Sequence, residues 1–244
     1  MKQKQIQTNF QRIETKYVLD IETLQKLETE MHKFLIEDDY ASSTISNIYF
    51  DNDDFQMIQD SIARRNGREK IRMRSYSNEI TEDSQVFLEI KKKSEEVGYK
   101  YRLASNPVSV VNFVKNAQID ATISDERVQN EVEQLQNRYL GLKPKMMISY
   151  DRYSMKGSKD KKVRVTVDSN IRYRDYDLDL TLGRYGLPLL DEGKAIMEIK
   201  VPGEYPNWLA TILNKYGLED QSFSKYANAY LKSENRIVEL VQNS

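Results

Sequence analysis

Apolar and polar residues alternate with a period of two in a series of short runs, and each run predicts a strand. In the clearest, Val163, Val165 and Val167 point one way while Arg164, Thr166 and Asp168 point the other. The same alternation predicts strands over Gln11–Leu19, Ser43–Phe50, Glu69–Tyr76, Ser84–Lys93, Gly98–Leu103, Lys145–Met155, Ile171–Tyr176 and Ala195–Val201. Helical spacing lies between them. Asp20 reads as the N-cap of a helix to about Leu35, with Leu24, Leu27, Met31 and Phe34 on one stripe. Shorter helices are predicted over Asp53–Arg65, Pro107–Ala117, Ser124–Leu140 and Pro206–Tyr216, and a longer one over Ser224–Val241. Ser94-Glu95-Glu96-Val97 is short enough to be a hairpin turn, and Asp177–Gly193 reads as an irregular loop. No repeat or linker divides the chain, so one domain is expected over 1–244, with its core at about 10–231. The fold class predicted is α+β: about eight or more mainly antiparallel strands in a closed or nearly closed barrel with helices packed outside.

Three of the strands share a chemical pattern. Glu14 and Lys16, Glu89 and Lys91, and Glu198 and Lys200 each stand two residues apart, hence on one face. Lys70, Arg72 and Arg74 repeat the pattern with cations alone. Such a face is either solvated or the lining of an anion site. A solvated face would be held by Glu–Lys cross-strand pairs contributing about 0.2–1 kcal/mol each. Three features favour the lining. The charged positions are short of Ser, Thr and Gln. Many are Arg, whose planar fork matches phosphate oxygens. The opposite faces, such as Ile71 and Met73 or Met197 and Ile199, need an apolar cover that the helices can supply.

Composition narrows the chemistry. The 244 residues carry 37 basic and 38 acidic side chains, so net charge gives no basis for binding nucleic acid or membrane. Any anion site must come from segregated charge. The absence of Cys excludes disulfides, thiolate metal sites and Cys nucleophiles, and it fits a cytoplasmic protein. The single His32 excludes a His-rich zinc site. Neither a signal-like apolar core near Met1–Asn9 nor an apolar run of the ~20 residues that span a bilayer is present. Carboxylates, cations, hydroxyls and phenols remain.

Taken in order, the motifs resemble a known family. They are Arg12-x-Glu14-x-Lys16-Tyr17, Tyr49-Phe50-Asp51, Ile71-Arg72-Met73-Arg74, Phe87-Leu88-Glu89-Ile90-Lys91, Tyr150-Asp151-Arg152, Val163 to Asp168, Met197-Glu198-Ile199-Lys200 and Ser224-Lys225-Tyr226. Each is weak alone, but their joint order is specific. The chain resembles the VTC domain, the polyphosphate polymerase branch of the triphosphate tunnel metalloenzymes with the CYTH-like fold. The resemblance narrows the fold to an eight-stranded antiparallel tunnel β-barrel whose cations hold triphosphate or polyphosphate. Carried over by match, the phosphate-binding residues are Arg12, Lys16, Arg72, Arg74, Lys91, Arg152, Arg164, Lys200 and Lys225. Lys200, Arg72, Arg74 and Arg164 would act on the transferring group. Glu198 matches the metal ligand, and Glu14 and Glu89 are secondary candidates that could instead pair with cations. The wider superfamily begins Glu-x-Glu-x-Lys. Arg12 at the first position weakens a multi-carboxylate metal site and tilts the reading from hydrolysis toward the polymerase branch.

The expected activity is transfer of the ATP γ-phosphoryl group onto polyphosphate, with Mn²⁺ or Mg²⁺ as cofactor. ATP or another triphosphate and inorganic polyphosphate are the expected partners. No nucleic-acid partner is expected, and a membrane partner protein is a candidate. A tripolyphosphatase or nucleoside triphosphatase, and a non-catalytic binding module, are the alternatives. Lys92 is expected to face solvent, while Arg172 and Arg174 are placed either at a tunnel mouth or on a solvated hairpin.

Overall fold

The computed structural model describes residues 12–94 and 97–242, with side chains over 13–94 and 97–235. Among the described residues, nine strands and six helices follow one another along the chain. They are β1 (Arg12–Asp20), α1 (Ile21–Met31), β2 (Leu35–Asp51), α2 (Gln56–Ile62), β3 (Arg68–Ser75), β4 (Val86–Ser94) and β5 (Val97–Ser105). Then come α3 (Pro107–Asn116), α4 (Glu126–Arg138), β6 (Lys143–Gly157), β7 (Arg164–Arg174), β8 (Leu187–Pro188), β9 (Lys194–Pro202), α5 (Asn207–Lys215) and α6 (Lys225–Gln242). The hydrogen-bonded order is β1-β9-β7-β6-β2-β3-β4-β5, with β8 beside β7. This is the expected α+β class. The order has two ends: no pairing of β1 with β5 is found among the described residues. The ninth strand is the two-residue β8, too short to leave an alternation in the sequence.

The chain divides into two compact units. The first comprises residues 1–43, 151–169 and 190–223; the second comprises 44–150, 170–189 and 224–244. In the first, Tyr17, Val163, Val165, Val167, Met197, Ile199 and Val201 make the apolar sheet face. Leu24, Leu27 and Met31 of α1 and Leu209, Ile212 and Leu213 of α5 cover it. In the second, Ile71, Met73, Val86, Leu88 and Ile90 are covered by Val110, Phe113 and Val114 of α3 and Val128, Val132 and Leu135 of α4. Full burial of each such aliphatic side chain contributes about 1.5–3 kcal/mol. Asn106 and Asp125 cap α3 and α4 by accepting from backbone amides two or three residues on. Covering one face of each strand by helices commits the alternate residues to the other face, where the charges lie.

Three local expectations are corrected. The helix predicted to run to Leu35 ends at Met31, and β2 begins at Leu35, eight residues before the predicted Ser43. The extra strand has few apolar residues. Its stability comes from distant partners: Tyr153 donates to Glu37 at 3.2 Å, Lys156 pairs with Asp38 and Asp39, and Arg164 pairs with Asp38. The two runs predicted over 163–176 form one strand, β7. Asn170 there has φ 50°, a left-handed conformation that Asn tolerates and that interrupts the alternation. The helix over Asp53–Arg65 is shorter because Phe55 is itself left-handed at φ 53°.

Arg174 lines no surface. It is 0% exposed and donates to the carbonyls of Asp177, Asp179, Gly183 and Tyr185 at 2.8–3.0 Å, with its guanidinium 4.2 Å from the Tyr185 ring centre. Arg172 donates to Gly186 O at 3.0 Å. Arg174 is thus a buried fastener of the irregular loop, while Arg172 stays exposed on the β7–β8 hairpin, the solvated alternative expected of it. Replacing Arg174 by Met leaves four carbonyls without their donor. We expect an unfolding free energy lower by about 2–4 kcal/mol and faster proteolysis within 177–189, measured by denaturant unfolding and limited digestion.

Candidate phosphate-binding clusters

The second unit concentrates positive charge. The registers Arg72↔Glu89↔Arg102 and Lys70↔Lys91↔Lys100 lay two cross-strand rows over β3, β4 and β5. Directly opposite residues share a face, so Lys70, Arg72, Arg74, Lys91, Lys100 and Arg102 lie on the face of Glu89, and Arg72, Arg74, Lys100 and Arg102 reach its carboxylate. Glu89 is 1% exposed. Its Oε2 accepts from Arg72 Nε at 3.0 Å and Nη2 at 2.7 Å, and lies 3.9 Å from Arg74 Nε. Its Oε1 is 2.8 Å from Lys100 Nζ and 3.7 Å from Arg102 Nε. Burial alone would raise this carboxyl's pKa. Arg72, Arg74 and Lys100 outweigh burial and hold it well below the usual carboxylate range. Glu89 is thus the counter-ion of a cation cage, a poor place for a further cation.

Phenols hold the two arginines in place. Arg72 donates to Tyr49 OH at 3.1 Å. Arg74, 6% exposed, donates to Asn47 Oδ1 at 2.8 Å and Tyr150 OH at 3.0 Å. Lys225, at the start of α6, lies 4.6 Å from the Tyr150 ring centre. Tyr49 stacks on Tyr226 with ring centres 4.6 Å apart, yet the two phenols shift oppositely. Burial would raise Tyr49, but Arg72 and Arg74 overcome it and push its pKa down to about 8. Burial, together with Asp51, pushes Tyr226 well up. Asp51 faces α2: it accepts from the amides of Asn52, Met57 and Ile58 and from Tyr226 OH, at 2.9–3.0 Å. It is an anchor for that helix.

In the first unit charges alternate. The register places Glu14 opposite Lys200 and Lys16 opposite Glu198. Lys16 Nζ lies 3.1 Å from Glu14 and 4.0 Å from Glu198; Lys200 lies 3.6 Å from Glu14 and is in direct contact with Glu198. Arg152 forks onto the buried Asp168 at 2.6 and 2.8 Å, and Arg164 meets Asp38. Thr166 is opposite Glu198 across β7 and β9, and its buried hydroxyl has no hydrogen-bond partner among the described residues.

The predicted residues therefore fall into two groups. Lys16, Arg152, Arg164 and Lys200, with Glu14 and Glu198, belong to the first unit; Arg72, Arg74, Lys91 and Lys225, with Glu89, belong to the second. The Arg12 side chain and the Glu95-Glu96 turn lie outside the described residues. Lys92 is not solvent-facing: its Nζ is 3.4 Å from the buried Glu69 and 3.6 Å from Glu131 of α4. Lys100 and Arg102, absent from the predicted set, join the cage through the β4–β5 register; their spacing of two, on a strand hairpinned to that of Glu89, is the signal in the sequence.

Replacing Glu89 by Gln leaves the cations mutually repelling in a buried position, so we expect a loss of about 3 kcal/mol at pH 7. The depressed carboxyl contributes stability above its unfolded pKa of about 4.3 and loses it as pH falls toward the folded value. The gap between wild type and the Gln variant in denaturant unfolding should therefore narrow between about pH 5 and pH 3. Ultraviolet difference titration should show one phenol ionising near pH 8, and Tyr49→Phe should remove that step.

The VTC domain family model matches residues 11–233. The chain is 25% identical over 220 residues to vacuolar transporter chaperone complex subunit 4 of Trypanosoma brucei brucei, covering 76% of this chain and 28% of that protein. It is 25% identical over 271 residues to the subunit of the same name from Schizosaccharomyces pombe, covering 90% and 37%. The chain thus spans about a third of the length of these relatives. In structure it is similar to a putative adenylate cyclase from Bacillus halodurans, with a TM-score of 0.55 at 14% identity, covering 90% of this chain and 96% of that one. That likeness extends the fold beyond the reach of sequence identity. On the family match over nearly its whole length, the chain belongs to the VTC domain family.

Proposed function

We propose that this domain is a polyphosphate polymerase-like phosphotransferase that uses ATP. The observation that carries the reading is the cation excess of the β3–β5 rows, where six Lys and Arg side chains share one face with the single carboxylate Glu89. A linear polyanion is the ligand whose repeated charges match two rows of Lys and Arg on one sheet face. At an effective dielectric near 20, two like charges ~4 Å apart repel by about 4 kcal/mol, a cost that bound phosphate would relieve. Membership of the VTC domain family supports polyphosphate as the polyanion.

In this reading Arg72, Arg74, Lys91 and Lys225, with Lys100 and Arg102 added, bind and orient phosphate oxygens in the second unit. Lys16, Arg152, Arg164 and Lys200 do so in the first, and Arg12 belongs to the same set. A terminal oxygen of the polyphosphate chain attacks the γ-phosphorus. A new P–O–P bond forms, the bond to the β,γ-bridging oxygen breaks, and ADP leaves. The attacking oxygen is already ionised at neutral pH, so no side chain needs to remove a proton. The residues supply position and charge neutralisation, the main protein contribution to phosphoryl transfer.

In this reading a divalent ion would be held beside Glu198. Glu198, Glu14 and the unpartnered Thr166 hydroxyl form an oxygen-only donor set, as Mg²⁺ and Mn²⁺ prefer. No group of three or more Asp, Glu, His or Cys side chains suited to a metal occurs among the described residues, so phosphate oxygens and water would complete the coordination. When bound, the ion would neutralise charge on the phosphate oxygens. Among the described residues no helix is long and apolar enough to cross a membrane. A membrane partner protein therefore remains a proposal about assembly.

Incubation with ATP and Mn²⁺ should yield long polyphosphate on a gel together with ADP. Orthophosphate release without polymer would identify a hydrolase instead, and binding without turnover in any metal would identify a binding module. Glu198→Gln should lose at least tenfold in metal-dependent turnover while keeping much of its affinity for tripolyphosphate. Unchanged turnover would remove Glu198 from the metal role.

A further inference from the structure

Beyond the cation cage, the same face carries an aromatic cluster that phosphate binding does not use. Phe87 follows Glu89 on β4 two residues toward the strand start, and Tyr76 lies just past the end of β3. Their ring centres are 5.9 Å apart in an edge-to-face arrangement of 70°. The Arg102 guanidinium lies 3.7 Å from the Phe87 ring centre and 5.7 Å from that of Tyr76. Arg74 is also 5.7 Å from the Tyr76 ring, and its Nη1 is 3.4 Å from the phenol oxygen. Tyr76 is 41% exposed and Arg102 is exposed as well. Tyr76, exposed beside guanidinium planes and backed by the half-buried Phe87, keeps apolar π-surface in water next to strong phosphate donors. Arg102 joins the two regions, since its Nε is 3.7 Å from Glu89 in the cage.

We propose that Tyr76, Phe87 and Arg102 form the subsite for the planar base of a nucleoside triphosphate whose phosphates engage Arg72 and Arg74. This rests on the phosphate-binding reading above and adds to it a place for the base. Bases stack on aromatic rings and guanidinium planes through their π-faces, and each stacked base contributes enough to be lost measurably on alanine substitution. The arrangement separates two kinds of ligand that the cage alone cannot: a nucleoside triphosphate, which has a base to stack, and inorganic tripolyphosphate, which has none.

The test compares dissociation constants for ATP and inorganic tripolyphosphate, both with Mg²⁺, in wild type, Tyr76→Ala and Tyr76→Phe. Tyr76→Ala should weaken ATP binding roughly ten- to hundredfold and change tripolyphosphate binding by less than about twofold. Tyr76→Phe keeps the ring and should bind both ligands close to wild type. If Tyr76→Ala weakens both ligands equally, Tyr76 is only positioning Arg74 and the base subsite is wrong. If ATP binding is unchanged, or if wild type binds tripolyphosphate as tightly as ATP, the subsite is likewise wrong while the phosphate reading stands. If wild type binds neither ligand, both are overturned. Tyr76 is half-exposed, so its substitution does not threaten folding.

Discussion

The second unit depends on one buried carboxylate. Glu89 stands between Arg72 on one neighbouring strand and Lys100 and Arg102 on the other, with Arg74 within reach. Without it, four cations would face one another across a sheet only ~5 Å between strands. With it, they are held partly desolvated around a shared counter-ion.

The first unit solves the same charge problem differently. Glu14, Lys16, Glu198 and Lys200 form a checkerboard across β1 and β9, and Arg152 and Arg164 each have a carboxylate partner. Its cations are already compensated, while its carboxylates and the Thr166 hydroxyl add oxygen donors. The second unit gathers cations around one carboxylate, whereas the first pairs each cation with a carboxylate of its own. The three Glu-x-Lys strands are therefore not equivalent. In β4 the Glu is a counter-ion, whereas in β1 and β9 the Glu and Lys alternate across a shared register.

Several charged residues turn out to serve the fold. Asp51 closes the start of α2, Lys92 ties β4 to α4 through Glu69 and Glu131, and Arg174 gathers four carbonyls of an irregular loop. In each case the side chain is buried or half-buried and its polar atoms meet backbone groups or helix residues. A charge in a strand is thus not by itself a sign of the site. What it faces decides, and that depends on which side the helices cover.

Most strands and helices were legible in the sequence, because period-two and helical spacings are local and Pro107 marks a helix start; Asp20, read as an N-cap, stands at the start of α1 without a side-chain capping bond. The charged face was legible too, since alternation alone puts Arg72, Arg74 and Glu89 opposite Ile71, Met73 and Leu88. Tertiary structure decided the rest. The first half of β2 has almost no apolar pattern and exists because Lys156, Arg164 and Tyr153, more than a hundred residues away, hold it. Lys100 and Arg102 joined the cage only through the β4–β5 register. Lys92 meets Glu69 and Glu131 instead of solvent because α4 packs over that face of β4. Sequence determines which residues share a face, for alternation is a property of neighbours along the chain. Which charges meet is set by pairing between distant strands, and only the folded chain supplies that.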